Sequence, residues 1–253
     1  MKWQDKAVIL SVRKFGESAL IISVLSANHG RYGGVIRSAK AARGICQTGN
    51  IVEAIWNARL SEHLGMISAE IIEPVASYAM HDRLKLAALV SACNLLDCSL
   101  MEREPQQEIF LALLEFLESI EKENWREKYV MLELELLKRL GFGMDLATCA
   151  ATGSYEDLVY VSPKSGRAVS REPGEKYKDK LLLLPAFIAG KANAPASGAD
   201  ILHGISLTGY FLDKHVFSGD NRAMPPARAR FIEMLKGELQ ITRNVTMQLE
   251  ACD

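Results

Sequence analysis

The sequence predicts an α+β protein, with a small five-stranded β-barrel over residues 1–77 and a mainly α-helical region over 78–253 that carries a hairpin insertion at about 149–190. Three observations carry this. Short Val/Ile/Leu-rich runs alternate with turn signals up to Glu73. The apolar period changes to a helical one near Val75. A Pro/Gly-punctuated stretch then interrupts the helical pattern.

Ala7 to Val12 and Ala19 to Ser26 are the first two strands, separated by the turn signal Lys14-Phe15-Gly16-Glu17. Gly33 to Arg37 follows the Asn28-His29-Gly30 turn as a third. Ile51 to Leu60 alternates, with Val52, Ala54, Trp56 and Ala58 opposite Ile51, Glu53, Ile55, Asn57 and Arg59. Ile67 to Glu73 ends the series before Pro74. Five short strands with one long loop after the third fit a small barrel better than a βαβ unit.

Leu84, Ala88, Ser91, Ala92, Leu95 and Leu96 lie at helical spacing. After Pro105, acceptable in a first turn, Ile109, Phe110, Leu113, Leu114, Leu117 and Ile120 form an amphipathic stripe. Trp125 to Leu140 predicts a third helix, ended by Gly141 and Gly143, with Glu135 and Arg139 in the favourable i, i+4 order. Leu158 to Val161 and Arg167 to Ser170 flank a turn and read as a hairpin. Gly190 to Gly198 is a connector, helical pattern returns at Ala199 to Phe217 and Pro225 to Leu239, and the polar end from Ile241 is expected to fray.

The 49% hydrophobic and 24% charged content is that of a globular protein. The net charge of −1 divides unevenly, because residues 1–80 hold nine Lys/Arg against six Asp/Glu. That asymmetry points the N-terminal part at a polyanion. No secretory signal is expected from the charged start, and apolar runs such as Leu181 to Leu184 are far too short to span a bilayer. A soluble, cytoplasmic protein without a membrane partner is expected. The cysteines, Cys46, Cys93, Cys98, Cys149 and Cys252, show no CxxC spacing, which argues against a disulfide framework or structural zinc. Cys93 reads as a small buried hydrophobe.

Enzymatic signatures are missing from the sequence. Gly30-Arg31-Tyr32-Gly33-Gly34 lacks the GK[ST] ending of a phosphate-binding loop. The five histidines have no metal-ligand spacing, and there is no GxSxG. No enzyme and no cofactor are expected.

Nucleic-acid chemistry fits better. The window Ser18 to Val52 contains no Asp or Glu, where the overall content would place about four. It holds Arg31, Arg37, Lys40 and Arg43, which can approach phosphates without repulsion. Lys14 joins them as a candidate contact. Tyr32, Trp56 and Phe15 are candidate stacking residues, each with a plain packing alternative. Arg59 either contacts DNA or pairs with Glu62 in the following turn.

Ala7-Val8-Ile9-Leu10 with Phe15-Gly16-Glu17-Ser18, and His29-Gly30-Arg31 with the basic run to Arg43, are followed by Arg59 to Gly65. Leu134 to Gly143 with Cys149, and Pro225 to Leu235 with Arg228 and Phe231, complete the series. In these residues, taken in this order, the chain resembles the RecO family of bacterial DNA repair and recombination mediators. The resemblance implies an N-terminal OB-fold, DNA binding, annealing of complementary single strands, and help in loading recombinase onto strands coated by single-stranded-DNA-binding protein. The implied partners are single-stranded DNA, with double-stranded DNA left open, RecR, and the C-terminal tail of single-stranded-DNA-binding protein, at the bacterial nucleoid. Such a tail needs an apolar pocket with a cation at its rim. Lys138, Arg139, Arg228 and Arg230 are candidates, against the simpler reading as solvated charges. Some family members hold zinc with four cysteines, the first where Cys149 stands. Thr152 occupies the second position and Ala168 to Glu172 supplies no thiol, so no metal is expected here. The alternative function is a helical protein-interaction scaffold with only incidental DNA binding.

Overall fold

The computed structural model describes residues 1–37, 44–60, 63–190, 195–218 and 223–250, the last ten as backbone alone. Five strands close a barrel in the order β1-β2-β3-β5-β4: β1 (Lys2–Phe15), β2 (Ala19–Ser26), β3 (Gly30–Arg37), β4 (Ile51–Asn57) and β5 (Gly65–Glu73). All neighbours are antiparallel except β3 and β5, which run parallel. The barrel with its helical continuation is the fold class expected from the sequence.

β1 is longer than its apolar core suggests. Lys2 to Lys6 break the alternation, yet each pairs with β4, from Lys2 opposite Asn57 to Lys6 opposite Glu53. Backbone pairing overrides side-chain polarity there. Val52, Ala54 and Trp56 point inward, joining Ala7, Ile9, Ile22, Val24 and Ile67 in the barrel core. Gly65 is required by that packing, since a Cβ there would fall 2.3 Å from the Trp56 ring.

Helix α1 (Val75–Ala79) follows Pro74 and is too short to show a period in the sequence. α2 (Arg83–Ser99) starts at Asp82, whose carboxylate accepts from the Leu84 and Lys85 amides. α3 (Gln107–Ser119) buries the predicted stripe. The loop before β4 ties this layer to the barrel. Asn50 accepts from the Ala76 amide at 3.0 Å and donates to the Ile45 carbonyl at 3.0 Å. Gly49, at φ 90°, lies under Leu89 with no room for a Cβ.

The chain forms two compact units, one of Met1–Lys122 with Pro225–Leu235 and the other of Glu123–Met224 with Lys236–Asp253. The first helices thus share a unit with the barrel. In the second unit α4 (Trp125–Leu137) passes into a π-turn, Lys138–Phe142, where Gly141 takes φ 88°. A small sheet of β6 (Leu158–Val161), β7 (Ala168–Ser170) and β8 (Leu182–Leu183) holds the hairpin, followed after β7 by the short α5 (Arg171–Glu175). α6 (Gly198–Leu212) begins with a Ser197–Asp200 capping box and ends in a second π-turn, Asp213–Phe217. Thr208 on α6 donates to the buried Glu133 carboxylate of α4. α7 (Pro226–Glu250) continues beyond Leu239 through the stretch expected to fray. No helix among the described residues is long and apolar enough to cross a membrane.

Candidate nucleic-acid interface

One cross-strand row at the end of the barrel brings a ring and a cation together. Phe15 opposes Ala19, and Ala19 opposes Arg37. The small Ala19 separates two large exposed groups, with Phe15 52% exposed and Arg37 at the surface. Lys14 is also exposed, one residue back on β1. The acid-free window covers two of the three strands in this row. The row offers a cation for phosphate and a flat apolar ring for a base, and Lys14 adds a second exposed charge from the adjoining row, opposite Leu20. Lys40 and Arg43 lie outside the described residues. Arg59 is exposed, and its alternative partner Glu62 lies outside the described residues.

Burial and pairing place three of the expected contact residues against other parts of the fold. Trp56 is 1% exposed and its Nε1 donates to the Gly33 carbonyl at 3.1 Å, so its faces belong to the barrel core. Arg31 turns to the helical layer. Its Nε donates to the Leu100 carbonyl at 2.9 Å, and Nη1 lies 3.3 Å from Asp97 and 3.5 Å from Glu102. Tyr32 is half-buried, edge-on to Trp56 at 5.0 Å and to Trp3 at 5.1 Å, with the Arg103 guanidinium 5.7 Å from its ring centre. Its ring is an internal member of an aromatic cluster that also stacks His29 on Trp3 at 4.8 Å.

The turn leading into β3 is held by Asp5. Its carboxylate accepts from the Ser26 hydroxyl at 2.5 Å and from the Asn28 amide at 2.7 Å and side chain at 3.0 Å. Burial alone would raise the Asp5 pKa, but donors on Ser26, Asn28 and His29 outweigh it and hold the carboxyl below its ordinary value. The sequence shows Asp5 as one acid in a polar stretch and gives no sign of these partners.

Cys149 is 1% exposed at the base of the hairpin. Burial would push the thiol up. Hydrogen bonds from Ser170, from Thr152 and from the Ala151 amide reverse this and bring it down to about 6. The Ser170 amide donates to Sγ at 3.2 Å. Among the described residues no three His, Cys, Asp or Glu side chains gather as a metal site.

The four candidate tail-binding cations separate. In the second unit Lys138 lies 3.7 Å from Glu135, and Arg139 pairs with the same carboxylate at 2.6 Å, the i, i+4 contact expected. In the first unit Arg228 is 5% exposed and engaged, which corrects its place as a rim residue. Arg230 differs. It borders a largely apolar groove of about 280 Å³ formed by Leu86, Ala87 and Val90 of α2 with Ala227 and Met234 of α7, and Arg83 stands at the α2 side. Arg83 was not singled out by the sequence, where it is one more cation before a helix.

Two family models match the chain, "Recombination protein O N terminal" over residues 1–75 and "Recombination protein O C terminal" over residues 80–224. Relatives named "DNA repair protein RecO" match most of the chain, among them the following three. That of Rhodospirillum rubrum is 41% identical over 244 residues, covering 93% of this chain and 97% of the relative. That of Rhodospirillum centenum is 43% identical over 238 residues, covering 92% and 94%. That of Bartonella quintana is 40% identical over 248 residues, covering 93% and 98%.

Proposed function

The chain belongs to the RecO family of DNA repair proteins, and from that premise we propose that its barrel binds DNA and anneals complementary single strands, so helping to load recombinase onto strands coated by single-stranded-DNA-binding protein. The observation that supports this best is the Phe15–Ala19–Arg37 row, whose β2 and β3 members lie in the acid-free window, with Lys14 exposed nearby. Cations on this face neutralise the phosphates of both strands and lower the repulsion that opposes their encounter. Base pairing then supplies the driving force and the sequence specificity. No covalent step is required. Arg37 and Lys14 are the first contacts in this reading, with Lys40, Arg43 and Arg59 as further cations. Arg31, Tyr32 and Trp56 support the fold instead.

Binding of labelled single- and double-stranded DNA across a salt series tests it. Replacing Lys14 and Arg37 by Ala weakens binding to every sequence and lowers the log–log salt slope by about 0.7 per lost single-strand contact. The annealing rate of complementary oligonucleotides falls in parallel. An unchanged slope in the double variant removes the assignment.

A second reading is supported by the α2–α7 groove. An apolar floor with Arg83 and Arg230 at its edge suits an acidic, aromatic-ended tail such as that of single-stranded-DNA-binding protein. RecR enters as a partner through family membership alone. Titration of a labelled tail peptide checks the groove, with Arg230→Glu expected to abolish binding and Lys138→Glu to leave it unchanged.

A further inference from the structure

The parallel seam between β3 and β5 is short. Among the described residues only Gly34 with Gly65 and Val35 with Met66 are paired. Where the pairing stops, a groove of about 590 Å³ opens between the last residues of β3 and the middle of β5. Ile36, Ile45, Ile55 and Ile67 give it apolar walls. Arg37 and Lys2 stand at it as cations, Asn57 and Ser68 offer polar atoms, and none of the described residues that line it is acidic. Lys2, Asn57 and Met66 share one cross-strand row, because Asn57 opposes both of the others. The cation and the amide are therefore held side by side on three paired strands.

The far wall is preformed. Asn50 and the Gln47 amide both donate to the Ile45 carbonyl, at 3.0 and 2.9 Å. Ile9 exchanges hydrogen bonds with this loop, donating to Asn50 at 3.0 Å and accepting from Gly49 at 2.8 Å. A wall fixed this way orders little on binding and so loses little entropy.

Resting on the reading that the barrel binds DNA, we propose that this groove seats an unstacked base of a single strand, with its flanking phosphates against Arg37 and Lys2. Its size falls within the range of small-ligand sites, about 300–1,000 Å³. Asn57 carries both a donor and an acceptor and can meet the edge of any base, so the contact is tolerant of sequence. Bases in a duplex are paired and stacked, and reaching the groove would require their extrusion at a few kcal/mol. The groove therefore favours single strands, whereas the surface cations serve both forms.

The experiment compares three equally long labelled probes against the full chain at one salt concentration. They are oligothymidine, an abasic deoxyribose-phosphate oligomer, and a duplex. Oligothymidine is expected to bind about tenfold more tightly than the abasic oligomer, a difference of about 1.4 kcal/mol from burying one base against the isoleucine walls. Ser68→Leu, at an exposed strand position, narrows the groove. It reduces that ratio to within about twofold and leaves duplex affinity unchanged, and Asn57→Ala shifts the ratio the same way by a smaller factor. Equal binding of thymidine and abasic probes by the wild type overturns the proposal, as does a ratio that survives both substitutions. If no probe binds in a salt-dependent manner, the DNA reading fails as well.

Discussion

Arg31 places its guanidinium 3.3 Å from the Asp97 carboxylate, joining the second residue of β3 to α2. The same group donates to the Leu100 carbonyl at 2.9 Å and meets Glu102 at 3.5 Å. The Arg31 carbonyl in turn accepts from the Arg103 amide at 2.8 Å. Arg31→Ala leaves Asp97 and Leu100 without their donor, and a half-buried charged hydrogen bond of this kind contributes about 1–3 kcal/mol. Denaturant unfolding is expected to show that loss. Affinity for DNA at fixed salt is expected to stay within about twofold, which separates Arg31 from Arg37.

The turn before β3 supplies a pH dependence. Asp5 has its folded-state pKa held below the ordinary value near 3.8. A depressed carboxyl stabilises the fold above its unfolded pKa, and that contribution is lost as pH falls through the folded value. Wild-type stability is therefore expected to drop below about pH 4 more steeply than that of Asp5→Asn. At neutral pH the variant is less stable by about 1–2 kcal/mol, because the amide cannot accept all the bonds of the carboxylate. Unfolding curves for both proteins between pH 2.5 and 7 check the convergence.

Trp56 and Gly65 form a matched pair inside the barrel. Gly65→Ala would drive a methyl to within 2.3 Å of the indole, and Trp56→Ala would leave the core hollow. The truncation is expected to cost about 3–5 kcal/mol. In the double variant the two losses are less than additive, since the smaller residue at 56 leaves room for the new methyl. A double-mutant cycle by chemical denaturation measures this.

How far the sequence reached depends on what kind of signal each residue gives. The Val52-Ala54-Trp56-Ala58 alternation marks the inner face of β4 because burial on a pleated strand repeats every two residues. The polar half of β1 has no such mark, since its pairing to β4 is made by backbone atoms that every sequence shares. β8 has only two residues and α1 only five, below the length at which a period can be seen. Charge is legible one residue at a time, but its partner is not. Arg31, Arg37 and Arg228 look alike in sequence, yet one is paired to α2, one faces solvent and one is buried. The groove at Arg37 depends on where the β3–β5 pairing stops, a relation between strands about 30 residues apart that local patterning does not encode.

Cys149 gives the last expectation. Its sulfur accepts from the Ser170 amide at 3.2 Å, and Thr152 also hydrogen-bonds it. These donors favour the thiolate and bring the folded-state pKa down to about 6 from an ordinary value of 9.0. A depressed acid contributes its full stabilisation above the unfolded pKa and loses it as pH falls through the folded one. The hairpin is therefore expected to gain stability as pH rises from about 6 to about 9, where most thiols have little effect. Cys149→Ala removes the titrating group and should flatten that part of the melting-temperature profile. Thr152→Val, which deletes a single donor, should move the rise to higher pH without abolishing it. Ultraviolet absorbance of the thiolate in a background lacking the other four cysteines reports the same transition directly. A flat wild-type profile from pH 6 to 9 would show that Sγ stays protonated and that the hairpin is held by packing alone.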